Sequence, residues 1–151
     1  MAYVEVTMIK RATTLLAARM SAACALALSV ACFGCSGAAG NFVSVESKAQ
    51  FQAMVLESQR PVMVEFYRDI CPVCLIEKPK LSRISEVYAD KMGFIKVSRR
   101  VTEVRQQYEV AFYPTVIVFN NGKAFRRSVG EQSQEVYAEM IDASLFAKAL
   151  K

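Results

Sequence analysis

From Phe42 to Leu150 the chain alternates short apolar runs with apolar residues at helical spacing, and that alternation predicts the order of elements. Phe42 to Val45 reads as a first strand. Ser47-Lys48-Ala49-Gln50 is a capping box: the Ser hydroxyl meets the third helical N–H while Gln reaches back, and Phe51, Met54 and Val55 follow at helical spacing. This helix is expected to run to about Gln59, ahead of Pro61. Val62-Met63-Val64-Glu65-Phe66-Tyr67 is a nearly continuous apolar run, as a buried central strand requires, broken only by the charge of Glu65. After Cys71-Pro72-Val73-Cys74 comes a helix with Leu75, Leu81, Ile84 and Val87 on one face, and Pro79 inside it is expected to kink it. Phe94 to Val97 predicts a strand, Val104 and Tyr108 a short helix, and Thr115 to Phe119 a second unmistakable strand. Asn120-Asn121-Gly122 is a hairpin turn, with Phe125 to Val129 returning as an edge strand. Ser133 caps a last helix carrying Val136, Tyr137, Met140, Ile141, Ser144 and Leu145 in one stripe. The sum is an α/β fold, a central mixed sheet of about five strands with about four helices covering both faces.

The first forty residues differ in kind. After Lys10, Arg11 and Arg19 no charge occurs until Glu46, and Met20 to Gly34 is an apolar run behind a basic lead, the composition of a secretory signal. The run is short of the ~20 apolar residues a membrane span takes. At its end Leu28-Ser29-Val30-Ala31-Cys32 resembles a bacterial lipobox, in which the Cys is acylated after cleavage, although Ser29 stands where Leu is usual. Residues 1–35 are therefore expected to be a targeting segment, with lipidation at Cys32, or else an uncleaved anchor. Met8 offers an alternative start. Residues 36–40 form a flexible lead-in and residues 41–151 one domain.

Composition narrows the chemistry. A chain of 151 residues, 54% apolar and 22% charged, is long enough for one ordinary domain and too apolar for disorder. The net charge of +5 is scattered and partly belongs to the targeting segment, so no nucleic-acid partner is implied. Histidine is absent, which excludes Ser-His-Asp and Cys-His nucleophilic sites and His-ligated metal centres. Cys, carboxylates, Lys and Tyr remain.

Cys71-Pro72-Val73-Cys74 falls at the junction of a buried strand and a helix N-terminus. Cys71 would precede the first helical turn, where unpaired N–H groups and the helix dipole favour a thiolate. Cys74, one turn on, is placed to attack a mixed disulfide from inside. Alone, a CxxC equally describes half a zinc site or a structural bridge. Cys32-Phe33-Gly34-Cys35 is a second such pair, but the interval Ser36 to Ile70 exceeds the ~15 to 20 residues usual between the halves of a zinc ribbon, and no metal site is expected.

From Phe42 to Leu150 the chain resembles the thioredoxin family. The family's active-site Cys-x-x-Cys after the central strand matches Cys71 and Cys74; its helix proline matches Pro79; its cis-proline loop matches Tyr113-Pro114-Thr115; its hairpin and strand-end glycines match Gly122 and Gly130. The family's buried acid, more often Asp, matches Glu65, and its buried lysine matches Lys96. The resemblance implies the thioredoxin fold and thiol–disulfide exchange on protein substrates without a cofactor. In that chemistry Cys71 attacks, Cys74 resolves, Glu65 takes the Cys74 proton, and Lys96 and Pro114 are counted with them among the catalytic residues. Backbone beside Pro114 would pair with the substrate, with Pro72, Val73, Tyr113 and Thr115 bordering its groove. Buried among Val64 and Phe66, Glu65 should have a raised pKa.

The chain departs from typical thioredoxin at Ile70, where Trp is usual, and at the Pro-Val dipeptide in place of Gly-Pro. Strongly oxidising periplasmic relatives carry His in the dipeptide, and its absence here favours a reductant. The interval from Cys74 to Pro114 leaves no room for their helical insertion. Ser98-Arg99-Arg100-Val101 lacks the acidic residue common after this strand, so the surface there is expected to be positive and to favour acidic partners. The expected protein is an exported or membrane-anchored monomer, facing the periplasm and fed by a membrane or soluble thiol donor. An oxidase or isomerase of the same fold, a glutathione-linked enzyme and a non-catalytic adaptor are the alternatives.

Overall fold

The structure, a computed structural model, describes residues 41–150. The expected targeting segment, the acylation site at Cys32 and the lead-in at 36–40 lie outside the described residues. Strands β1 (Val43–Val45), β2 (Val62–Tyr67), β3 (Gly93–Ser98), β4 (Thr115–Asn120) and β5 (Lys123–Val129) form one sheet in the order β1-β3-β2-β4-β5. β1 and β2 pair parallel to β3, while β4 pairs antiparallel to β2 and β5. Between them run α1 (Lys48–Phe51, continued by a π-helical turn, Gln52–Leu56), α2 (Pro72–Val87), α3 (Thr102–Gln107) and the closing α4 (Gln134–Ala149). Among the described residues no helix is long and apolar enough to cross a membrane.

Successive strand residues point to opposite faces, which sorts the central strands into two cores. Val62, Val64 and Phe66 of β2 and Ile95 and Val97 of β3 pack under α1 and α3 with Phe51, Val55 and Val104. Met63, Phe94, Val116 and Val118 face the other way, under Leu81 and Ile84 of α2 and Tyr137, Met140 and Ile141 of α4. By the same parity Glu65 and Lys96 belong to the α2 and α4 face. They are direct partners in the β2/β3 register. The hairpin turns on Asn121 and Gly122, both at positive φ (50° and 71°), and a Cβ on Gly122 would run into the Leu56 carbonyl, so glycine is required there.

Element order agrees with the pattern analysis, and three local expectations need correction. The first helix ends at Leu56 rather than about Gln59, through the π turn in which Glu57 N–H donates to the Gln52 carbonyl at 3.0 Å. Leu75 and Val87 were expected on the buried face of α2, but they are 69% and 71% exposed. The buried face is instead Cys74, Glu77, Leu81, Ile84 and Ser85, a 3–4 spacing whose phase is set by Cys74 facing the sheet. Ser133 does occupy the N-cap of α4, without a hydroxyl bond to the helix.

Candidate active site

Cys71 is the N-cap of α2. Its backbone is extended (φ −146°, ψ 99°), and its Sγ accepts the Cys74 N–H at 3.2 Å. Pro72 at the first helical position presets φ and has no N–H to leave unpaired, so the local sequence starts the helix at this point. Cys71 and Cys74 are joined in a disulfide with Cα atoms 5.2 Å apart, and both are buried in this form. A thiolate released at Cys71 would meet the Cys74 N–H and the positive end of the α2 dipole.

The loop entering β4 closes over the same sulfur. The Tyr113–Pro114 peptide bond is cis, and the Tyr113 carbonyl oxygen lies 3.7 Å from Cys71 Sγ. Gly130 N–H donates to the Pro114 carbonyl (2.8 Å), and Thr115 Oγ1 donates to the Phe112 carbonyl (2.8 Å). Thr115, expected to border a substrate groove, has a fully buried side chain that shapes the loop from within. Pro114 is buried, Tyr113 and Val73 are half-buried, and Pro72 is exposed. Ile70 (87% exposed) and Phe112 (71% exposed), on the two loops that meet at Cys71, add apolar surface. Phe112 went unnoticed in the sequence because it precedes the apolar run instead of belonging to it.

Behind the disulfide a cleft of about 290 Å³ is bordered by Cys74, Glu65, Lys96, Lys78, Tyr67 and Asp69. Glu65 is half-buried, and its pKa is pushed up to about 7. Burial is the main cause; Lys96 pulls it back, Glu77 raises it further and Lys78 lowers it. The carboxylate is thereby poised to exchange a proton near neutral pH, in the cleft that Cys74 also borders. Sequence reasoning missed Glu77. Its side chain is wholly buried three residues after Cys74. It accepts the Tyr137 hydroxyl (2.7 Å), the Gln132 N–H (2.9 Å) and Lys80 Nζ (3.1 Å). Lys80 also bonds Glu131 (2.9 Å) and the Gln132 carbonyl (2.8 Å), so the network ties α2 to the start of α4. Burial first, then the bond to Glu77, pushes the Tyr137 hydroxyl well above the ordinary tyrosine range. Among the described residues no group of three or more Cys, Asp or Glu side chains converges as a metal site requires.

Comparison with known proteins agrees with this architecture. The sequence model of the thioredoxin family, described as Thioredoxin, matches residues 42–143. The chain is 31% identical over 98 residues to Thioredoxin 1 of Synechococcus elongatus, covering 64% of this chain and 92% of that protein. It is 31% identical over 111 residues to the chloroplastic Thioredoxin Y of Oryza sativa, covering 70% of this chain and 66% of that protein. Thioredoxin Y1 of Arabidopsis thaliana is 28% identical, with 69% and 63% covered, so the chain spans just under two thirds of the length of these chloroplast relatives. The crystal structure of Malassezia sympodialis thioredoxin superposes with a TM-score of 0.63 at 25% identity, over 70% of this chain and 92% of that one. A match reaching from the residue before β1 into α4 accounts for almost the whole described domain, and the chain belongs to the thioredoxin family.

Proposed function

We propose that the chain is a thiol–disulfide oxidoreductase that reduces protein disulfides outside the cytoplasm. The observation that carries the reading is the Cys71–Cys74 disulfide at a helix N-terminus, with the cis-Pro114 loop on one side and Glu65 in the cleft on the other. In the dithiol form the Cys71 thiolate attacks one sulfur of a substrate disulfide; a Cys71–substrate bond forms, the substrate S–S bond breaks, and the other substrate sulfur leaves as a thiolate. Glu65 takes the proton from Cys74. The Cys74 thiolate then attacks Cys71 Sγ, closing the internal disulfide and releasing the second substrate sulfur. Two electrons have passed to the substrate, and an external thiol donor must return them. The reducing direction is supported by the absence of any His to stabilise the reduced form, and the extracytoplasmic location by the basic and apolar lead ahead of Cys32.

Reduced protein carrying Cys74→Ser should accumulate a mixed disulfide at Cys71 when given an oxidised peptide, whereas Cys71→Ser should form none; equal labelling of both would overturn the assignment. A reduction potential for the pair near roughly −270 mV supports a reductant, and one near roughly −120 to −180 mV a disulfide donor or isomerase. Export is tested by fractionating cells making the full chain and its Cys32→Ala variant. Membrane association lost in the variant supports acylation there, and a cytoplasmic wild type contradicts the location.

A further inference from the structure

Beside the redox pair, on the side of the cis-proline loop, lies a second groove of about 440 Å³ bordered by Arg99, Arg100, Thr102, Arg105 and Tyr113. It is anchored to the active site at three points. The Arg99 N–H donates to the Tyr67 carbonyl (2.8 Å) at the end of the strand that leads to Cys71. The Arg100 guanidinium pairs with Asp69 (2.8 Å), two residues before Cys71. Tyr113, whose carbonyl touches Cys71 Sγ, forms one wall. Three arginines thus border a hollow that shares Tyr113 with the cis-proline loop at Cys71. Among the described residues their charge is answered sparingly: Arg100 by Asp69 in an exposed pair, Arg105 by the Val110 carbonyl at 3.4 Å, and the Arg99 guanidinium by no hydrogen bond or ion pair. Arg127, by contrast, is held by the Tyr108 and Glu109 carbonyls (2.8 and 3.1 Å). Acids near this region are Asp69, Glu46, whose charge reaches the neighbouring Tyr67, and the exposed Glu103 in the first turn of α3.

We propose that this groove selects disulfide substrates whose polypeptide carries acidic side chains a few residues from the reacting cysteine, a specificity that rests on the oxidoreductase reading above. Guanidinium groups donate to carboxylates in a two-pronged, charge-assisted geometry, and a carboxylate entering here competes with the weak, solvent-exposed Asp69 pair at Arg100 and the long Val110 carbonyl contact at Arg105. The exposed Ile70 and Phe112 beside Cys71 add apolar surface next to this basic groove.

The test uses reduced full-length protein and two disulfide peptides of identical length, one with Glu and Asp flanking the cysteine and the other with Gln and Asn. Single-turnover rates are read at roughly 20 mM and roughly 500 mM salt. The acidic peptide should react about tenfold faster at low salt, and the ratio should fall toward one at high salt and in an Arg99→Glu, Arg100→Glu variant. The milder Arg99→Gln, Arg100→Gln variant should give an intermediate ratio, and the neutral peptide serves as internal reference for folding in every protein. A wild-type ratio near one, or a ratio unchanged by charge reversal, overturns the groove. Failure of the oxidoreductase reading looks different, since then neither peptide oxidises the pair, and the groove's proposed role falls with it.

Discussion

The two faces of the central sheet are built on opposite terms. Under α1 and α3 the core is Val, Ile and Phe throughout, with Phe51 in tilted and edge contacts with Tyr108 and Phe119 (ring centroids 5.5 and 5.7 Å apart). Under α2 and α4 the apolar packing is interrupted by Glu65, Lys96 and the wholly buried Glu77 with its Tyr137 partner. Both disulfide cysteines belong to the second side, through α2. The difference separates holding from reacting: one face supplies burial without chemistry, while the other accepts the desolvation of two carboxylates and gains a proton acceptor poised near neutrality.

That contrast breaks most sharply under truncation. Phe51→Ala should cost about 3 to 5 kcal/mol of unfolding free energy in denaturant titrations and leave the pH profile of thiol exchange where it was. Glu77→Ala should cost about 2 to 4 kcal/mol, because the Tyr137 hydroxyl and the Gln132 N–H lose their acceptor, while Lys80 keeps Glu131 and the Gln132 carbonyl. It should also lower the Glu65 pKa from about 7, since the Glu77 charge helps raise it. The milder Glu77→Gln, which keeps an acceptor but removes the charge, should retain the pH effect at smaller stability loss.

Next in size is the stability carried by Glu65 itself. Its pKa is raised on folding from 4.5 to about 7, so its contribution is complete below about pH 4.5 and is lost as pH rises through about 7, a loss of about 3 kcal/mol. Glu65→Gln should flatten that slope in unfolding curves taken from pH 4 to 9; a wild-type slope that persists in the variant would assign it elsewhere. Lys96→Gln should move the Glu65 midpoint above about 7, opposite to Glu77→Gln, because Lys96 stabilises the carboxylate and Glu77 opposes it. The smallest effect belongs to Asp69→Ala, which breaks the exposed pair with Arg100 and should change stability by less than about 1 kcal/mol.

The apolar face was largely legible in the sequence. Alternating or continuous apolar runs fixed the central strands, and Asn121-Gly122 with the Cys71-Pro72 junction placed the hairpin and the helix start. The Cys71–Cys74 pair was legible from its place between a buried strand and a helix start, whereas Glu65, Lys96 and Pro114 entered through the family resemblance; the structure sets Glu65 and Lys96 with Cys74 around one cleft and the Tyr113–Pro114 loop against Cys71. Glu77 was not, because a carboxylate between Ile76 and Lys78 reads locally as a solvated face. Its partners Gln132 and Tyr137 lie 55 and 60 residues away, and only the docking of α4 on α2 brings them in. Leu75 was misplaced for a related reason: apolar character alone does not set the rotation of a helix whose phase is locked by its N-cap. The burial of Thr115 depends on how its loop folds back to the Phe112 carbonyl, which periodicity does not encode.

The most direct test of the reactive face is the pH dependence of the resolving step, measured by quenched flow from a preformed Cys71 mixed disulfide in wild type and in Glu65→Gln. Wild type should resolve with an inflection near pH 7, and Glu65→Gln should lose that inflection and follow the thiol's own ionisation at higher pH. Identical profiles in the two proteins would contradict the role assigned to Glu65.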